Sequence, residues 1–254
     1  MNFKTVKPDK SISLFVKSIL VFEEIESVQK TIMPFFADGY PGLMFQDTVN
    51  GLHVSPHNKQ MPSFFLYGQT IKPIELVIDG AYKLIIFQLY PFVIKSFFNV
   101  SAKDINDDCY DLQQLENGRE LLLQLNESKD TNKRIDLLSN LLFNLFQDKK
   151  ETLDFQIRQA IQIIIDNKGQ IAIGNICKIV NVTERTFERR FMKEVGISPK
   201  QFSIIIQFQL SMEQLTKKDF AKLTDIVYNN GYADQSHFIK VFKAYTGKTP
   251  KDFK

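Results

Sequence analysis

Two groups of side chains in the C-terminal part of the chain have the chemistry to read a base pair. They are Arg185, Thr186, Glu188 and Arg189, then Gln235, Ser236, His237 and Lys240. An arginine can make bidentate hydrogen bonds to guanine O6 and N7, discriminating by roughly 1–3 kcal/mol against a wrong base. Glu188 could accept from cytosine N4 or pair with Arg185. Each group is interleaved with two phenylalanines one helical turn apart, Phe187 with Phe191 and Phe238 with Phe242. Read as core rather than as base-stacking platforms, those pairs fix the rotation of their helix and turn the polar groups to its outer side. For Arg185 and Arg189 a solvated helix face is the plain alternative, and for His237 a structural role stands beside DNA contact.

The elements that must hold these groups are duplicated. Phe187, Phe191, Gly196, Pro199, Lys200 and Phe202 recur 51 residues later as Phe238, Phe242, Gly247, Pro250, Lys251 and Phe253. Apolar periodicity predicts helices at about 153–167, 173–180, 184–195, 199–216, 222–230 and 235–246. In the first unit Ile173, Ile176, Cys177 and Val180 form the buried face of a scaffold helix. Asn181-Val182-Thr183 makes the turn, with Thr183 as cap. In the second, Leu223, Ile226 and Val227 are the scaffold, Gly231 the turn and Asp234 the N-cap. The scaffolds are offset by 50 rather than 51, so the second turn holds one extra residue. Ser198-Pro199 and Thr249-Pro250 each place a hydroxyl at an N-cap and Pro at the first helical position. A helix over 199–216 would span roughly 27 Å. Two readers so spaced could enter successive major grooves, roughly 34 Å apart.

The closing stretch from Ile226 to Pro250, with Ser236, Phe238, Phe242, Lys243, Gly247 and Pro250 in register, resembles the signature of the AraC/XylS family of transcription regulators. The resemblance covers about 100 residues, 151–254. It implies two helix-turn-helix motifs, with base-facing roles for Arg185, Glu188 and Arg189 in the first and Gln235, Ser236, His237 and Lys240 in the second. Asn181 replaces the family's usual turn glycine. Gln207 and Leu210 stand where the family often has Arg, which should weaken phosphate contacts or ion pairs on the linking helix.

The first half reads differently. Segments such as 18–22 and 84–87 are β-branched and aromatic, and breakers at 38–42, 50–51, 55–56 and 79–80 separate them. Several short strands over 12–90 suggest a small barrel or sandwich, followed by helical pattern over 91–148. Ile135, Leu138, Leu142 and Leu145 share a face of a helix near 131–148, either packed on its own domain or serving as a dimer seam. This strand-then-helix order resembles the cupin-like sensor domains that precede the same DNA-binding module. The segment 36–45 is similar to a subgroup with a Pro-Asp-Gly turn. The expected fold is therefore α+β in two domains, with a boundary near 150. Residues 1–150 form a small β-barrel or cupin-like domain with helices, and 151–254 an all-α double helix-turn-helix domain. The resemblance further implies double-stranded DNA as partner, with a small-molecule effector and a second copy of the chain as further partners.

Composition sets the outer bounds. Residues 1–150 hold 16 basic and 18 acidic side chains, a net of −2, while 151–254 hold 16 against 11, a net of +5. A basic half beside a mildly acidic one fits a nucleic-acid module joined to another function. No apolar run is long enough to span a bilayer, the first ten residues lack a signal-peptide core, and Cys109 and Cys177 form no CxxC pair. A cytoplasmic, non-enzymatic protein without cofactor is expected. The competing reading is a cupin-like ligand-binding or metal-dependent enzyme domain carrying a module that no longer reads DNA. His53 and His57, separated by Ser55-Pro56, cannot share a helix face and give that reading little support. Phe35, Phe36, Phe45, Phe64, Phe65 and Tyr67 could line a pocket or make ordinary core.

Overall fold

The computed structural model describes residues 2–26 and 29–253. The first part is two antiparallel sheets that share a core. Strands β1 (Asn2–Val6), β2 (Val16–Glu24), β4 (Gly42–Thr48), β7 (Phe64–Tyr67), β9 (Tyr82–Leu89) and β10 (Cys109–Asp111) form one sheet, in the order β1-β2-β9-β4-β7-β10. Strands β3 (Lys30–Phe35), β5 (Leu52–Ser55), β6 (Lys59–Met61) and β8 (Ile74–Asp79) form the other, ordered β3-β8-β5-β6. Side chains alternate across a strand, and both faces of β9 are covered, so Leu84 to Phe87 are all buried. Leu84 and Ile86 join Met44, Phe65, Leu52, Leu76 and Ile78 between the sheets. Ile85 and Phe87 join Phe45 and Phe64 on the opposite face, in the core shared with the helices.

Two strands fall outside the expected range of 12–90. β1 precedes it, pairing Asn2 with Glu23 through Val6 with Ile19. Its sequence, Asn-Phe-Lys-Thr-Val, is mostly exposed, and an edge strand with a wet face leaves little apolar signal. β10 lies in the stretch expected to be helical and adds three residues to the edge of β7.

Helices α1 (Val93–Phe98), α2 (Gly118–Glu127) and α3 (Thr131–Lys149) flank β10 and follow it. On α3, Ile135, Leu138 and Leu142 are buried and Leu145 half-buried, so the stripe packs on the chain's own core. Arg134, 1% exposed, is held by Nε donating to the Leu125 carbonyl at 2.9 Å and by an ion pair to Asp47 at 2.6 Å. A short 3-10 turn at Lys150–Thr152 then leads into six helices: α4 (Phe155–Asp166), α5 (Ile173–Ile179), α6 (Glu184–Val195), α7 (Pro199–Lys217), α8 (Leu223–Asn229) and α9 (Gln235–Thr246). Ser198 caps α7 by accepting from the Gln201 N–H at 3.1 Å, with Pro199 at the first position. Thr249-Pro250 does not open a helix. It makes one turn, in which the Asp252 and Phe253 N–H groups bond to the Thr249 carbonyl.

The two parts meet along a continuous apolar core. Gly39 lies against Phe202 and Ile206 of α7, and the Phe36 and Phe253 rings are 5.8 Å apart. Beside this junction Asp38 accepts from the Tyr40 N–H at 2.8 Å and from Gln88 Nε2 at 2.6 Å. Burial, set against those hydrogen bonds and the nearby Lys17, pushes its carboxyl up to about 6.

Candidate nucleic-acid interface

The first reader is built from α5 and α6. Ile176, Cys177 and Val180 are buried as the scaffold, and Asn181 turns the chain at φ +54°, a conformation asparagine tolerates. Thr183 caps α6, its hydroxyl accepting from the Thr186 N–H at 3.4 Å and donating to the Thr186 hydroxyl at 3.0 Å. Phe187 and Phe191 are fully buried with their rings 5.5 Å apart, and Phe191 meets Phe202 of α7 at 5.8 Å. The rotation this imposes leaves Arg185, Glu188 and Arg189 exposed and Thr186 half-buried. Arg185, Glu188 and Arg189 make no ion pair among the described residues, so Glu188 is not tied to Arg185. Their polar atoms are open to a ligand.

The second reader repeats the frame on α8 and α9. Ile226 and Val227 are buried, and Gly231 turns the chain at φ +73°. Asp234 caps α9 by accepting from the His237 N–H at 2.7 Å. Five residues separate α8 from α9, against four between α5 and α6, which places the extra residue in the second turn. Phe238 and Phe242 are fully buried, 5.7 Å apart, and Phe242 also meets Phe208 and Phe253. Gln235, Ser236 and Lys240 are exposed. His237 departs from that set: it is half-buried, its ring stands edge-on to Tyr232 at 5.6 Å, and Nδ1 is buried without a partner among the described residues.

Between the readers α7 runs 19 residues, about 28 Å. Gln207 does not face outward as a phosphate contact would. It is buried, and its Nε2 donates to the Gly169 carbonyl at 3.3 Å, tying α7 to the end of α4. Ser211 bonds the Tyr232 hydroxyl at 3.1 Å and ties α7 to the second turn.

Sequence reasoning missed the residues that brace α6. Arg190 reaches sideways to Asp154 with two hydrogen bonds, 2.8 and 2.5 Å, and to Gln156 at 2.6 Å, fixing α6 on α4. Its place three residues after Phe187 was the available signal. At the far end of α6, the Asn106 side chain donates to the Gly196 carbonyl at 2.8 Å, and Ser96 bonds Glu194 at 3.1 Å. No periodicity in the chain marks those two, because the contact crosses from the first domain to the second.

In the N-terminal domain the aromatic cluster divides by strand parity. Phe35, Phe65 and Tyr67 line a cavity of about 320 Å³ between the sheets, while Phe45 and Phe64 lie in the core shared with the helices. His57 is at this cavity and His53 on β5 is not. Among the described residues no group of three or more His, Cys, Asp or Glu side chains is placed to hold a metal, and no helix is long and apolar enough to cross a membrane.

The geometry defines a two-domain protein: an antiparallel β-sheet domain followed by a helical domain with two helix-turn-helix units. Family models match each of the two parts. Residues 176–254 match the family described as helix-turn-helix domain, and residues 4–111 match a domain of unknown function, DUF6597. The chain is 25% identical over 167 residues to the HTH-type transcriptional regulator NimR of Escherichia coli, covering 61% of this chain and 60% of that protein. An HTH-type transcriptional regulator of Haemophilus influenzae is 27% identical over 94 residues, covering 37% of this chain and 31% of its own length. Among solved structures, ToxT of Vibrio cholerae aligns over 100% of this chain and 98% of its own at 15% identity, with a TM-score of 0.49. The C-terminal part of this chain is thus matched by a helix-turn-helix domain family, and the chain is similar to HTH-type transcriptional regulators.

Proposed function

We propose that this chain is a sequence-specific, cytoplasmic transcription regulator in which residues 151–254 read two successive major grooves and residues 1–150 control them. The observation that carries the reading is the exposure of both outer faces: Arg185, Glu188 and Arg189 on α6, and Gln235, Ser236 and Lys240 on α9. The N-terminal half of a reader helix is the part that reaches base edges. Arg185 and Arg189 are assigned to guanine, Glu188 to cytosine N4, and Gln235, Ser236 and Lys240 to the second half-site. Thr186 and His237 are assigned to the rims of their readers, where a half-buried side chain still reaches a sugar or phosphate. The exposed Lys193, Lys200, Lys243 and Lys248 add sequence-independent attraction to the backbone. The N-terminal domain takes a small-molecule effector, a second copy of the chain, or both. The reading gives no residue a catalytic role.

Gel shift against DNA from upstream of its own coding region tests this. Arg189→Ala is expected to lose about 1–3 kcal/mol of discrimination at one base position. Lys240→Ala is expected to weaken binding by a similar order. Binding indifferent to both substitutions would overturn base readout by these helices.

A further inference from the structure

The segment 104–108 has two faces. One face supplies Asp104, Asp107 and Asp108 to the mouth of the cavity between the sheets. Asn106 lines the cavity with them and also reaches the other way, its amide donating to the Gly196 carbonyl, the C-cap of α6, at 2.8 Å, while its Oδ1 accepts from the Gln69 N–H at 3.2 Å. The backbone is held to the cavity wall as well, by Gly68 N–H to the Ile105 carbonyl at 3.1 Å and Asp107 N–H to the Gln69 carbonyl at 3.0 Å.

The cavity has a definite chemistry. Its walls are apolar and aromatic: Phe35, Met44, Phe65, Tyr67 and Leu76. The Phe35 and Tyr67 rings stand at 88° to each other with centroids 5.5 Å apart. Tyr67 is only 8% exposed, and its hydroxyl has no hydrogen-bond partner among the described residues. The lining carries three carboxylates against the single ammonium of Lys59, a net of −2 from those four side chains. Lys59 is already ion-paired with Asp108, so an incoming carboxylate would share that ammonium with Asp108 and meet the remaining carboxylates. Asp107 spends one oxygen on the Ile71 and Lys72 N–H groups, at 2.7 and 3.1 Å. Asp104 is exposed and makes no ion pair among the described residues. Aromatic faces beside carboxylates are the surroundings an organic cation prefers. The volume, about 320 Å³, is that of roughly ten waters.

We propose that the cavity binds an organic cation with an apolar body, its charged end beside Asp104 and Asp107, and that Asn106 carries the occupancy to α6. The body lies against the aromatic wall and the ammonium against the carboxylates. A charge drawn to Asp104 and Asp107 pulls on the segment that holds Gly196, and so on the end of the first reader. The step to α6 rests on the regulator reading above; the binding step does not.

Calorimetric titration of the full chain with 4-phenylbutylamine and with 4-phenylbutyrate, which share one hydrocarbon body, tests the cavity. The amine is expected to bind about tenfold tighter than the acid. Asp104→Asn is expected to weaken the amine alone, and Met44→Trp, which fills the cavity, to abolish binding. Should Met44→Trp fail to fold by circular dichroism, Leu76→Phe serves the same purpose. An acid that binds as tightly as the amine, a folded chain that binds neither, or amine binding untouched by the filling variants would overturn the proposal. For the second step, the amine is expected to change DNA affinity by about fivefold or more in the wild type. In Asn106→Asp, which keeps the acceptor for Gln69, loses the donor to Gly196 and adds a carboxylate to the cavity lining, amine binding should persist or tighten and the change in DNA affinity vanish. An amine-bound wild type with unaltered DNA affinity overturns the relay. Absence of DNA binding in every form overturns the regulator reading instead, and calorimetry alone then decides the cavity.

Discussion

The two readers are copies in sequence and unequal in their surroundings. Both hang on a buried phenylalanine pair, both start at a side-chain cap, and both end at a glycine in the left-handed region, Gly196 at φ +84° and Gly247 at φ +74°. Around α6 the first domain closes in, with Asn106 holding the Gly196 carbonyl and Ser96 bonding Glu194, while Arg190 locks α6 onto Asp154 of its own domain. Around the end of α9 there is space, the nearest atom to a side chain at Gly247 being Pro73 Cγ at 3.8 Å. The outer faces differ too. α6 mixes Arg185 and Arg189 with Glu184 and Glu188, whereas α9 offers Gln235, Ser236, Lys240 and Lys243 with no acid. A duplicated motif thus supplies one reader whose helix end is gripped by the first domain and one whose helix end is left open.

The largest test of this comparison asks whether the shared frame is equal. Phe191→Ala and Phe242→Ala remove rings that are both fully buried, so each is expected to cost about 3–5 kcal/mol in urea unfolding. A difference of more than about 2 kcal/mol between them would show that the frames are not equivalent.

The glycines test the asymmetry itself. Alanine at 247 meets open space and should cost only the left-handed penalty, about 1–2 kcal/mol. Alanine at 196 adds a Cβ 2.7 Å from the backbone of Ala102, which cannot give way as a side chain would. Gly196→Ala is therefore expected to lose more stability than Gly247→Ala and to increase hydrogen exchange at 101–108. Equal losses would remove the clamp from the account.

The smallest effect is a pH dependence confined to the first reader. Burial, against the Ser96 hydrogen bond and with Asp154 nearby, holds the Glu194 carboxyl above its ordinary range. The folded chain then binds that proton more tightly than the unfolded chain. Its contribution to stability is present at low pH and is lost as pH rises from the usual glutamate range through the raised value. Glu194→Gln should flatten this part of the pH profile, read as the difference between variant and wild-type urea midpoints. An unchanged difference across that window would mean that Glu194 is not desolvated at the junction.

Much of the second domain was legible because its signals are local. Helix periodicity, the Thr183, Ser198 and Asp234 caps and the offset of 50 against 51 all act within one or two turns of chain, and every predicted helix from 153 to 246 has its counterpart within two residues. His237 was less legible, since whether its ring faces out or toward Tyr232 depends on how tightly the extra residue folds the second turn. Gln207, which the resemblance sets where the family often has Arg for a phosphate contact or an ion pair, answers instead to the Gly169 carbonyl.

The chain's own pattern determined the two readers, their buried stripes and their outward polar groups, because hydrophobic burial and capping are settled by neighbours a few residues apart. Tertiary structure alone decided which reader is gripped, where the aromatic residues of the β domain divide between core and cavity, and that one asparagine spans the two domains. Those outcomes depend on atoms some 90 residues apart, such as Asn106 and Gly196, brought together only when both cores have formed.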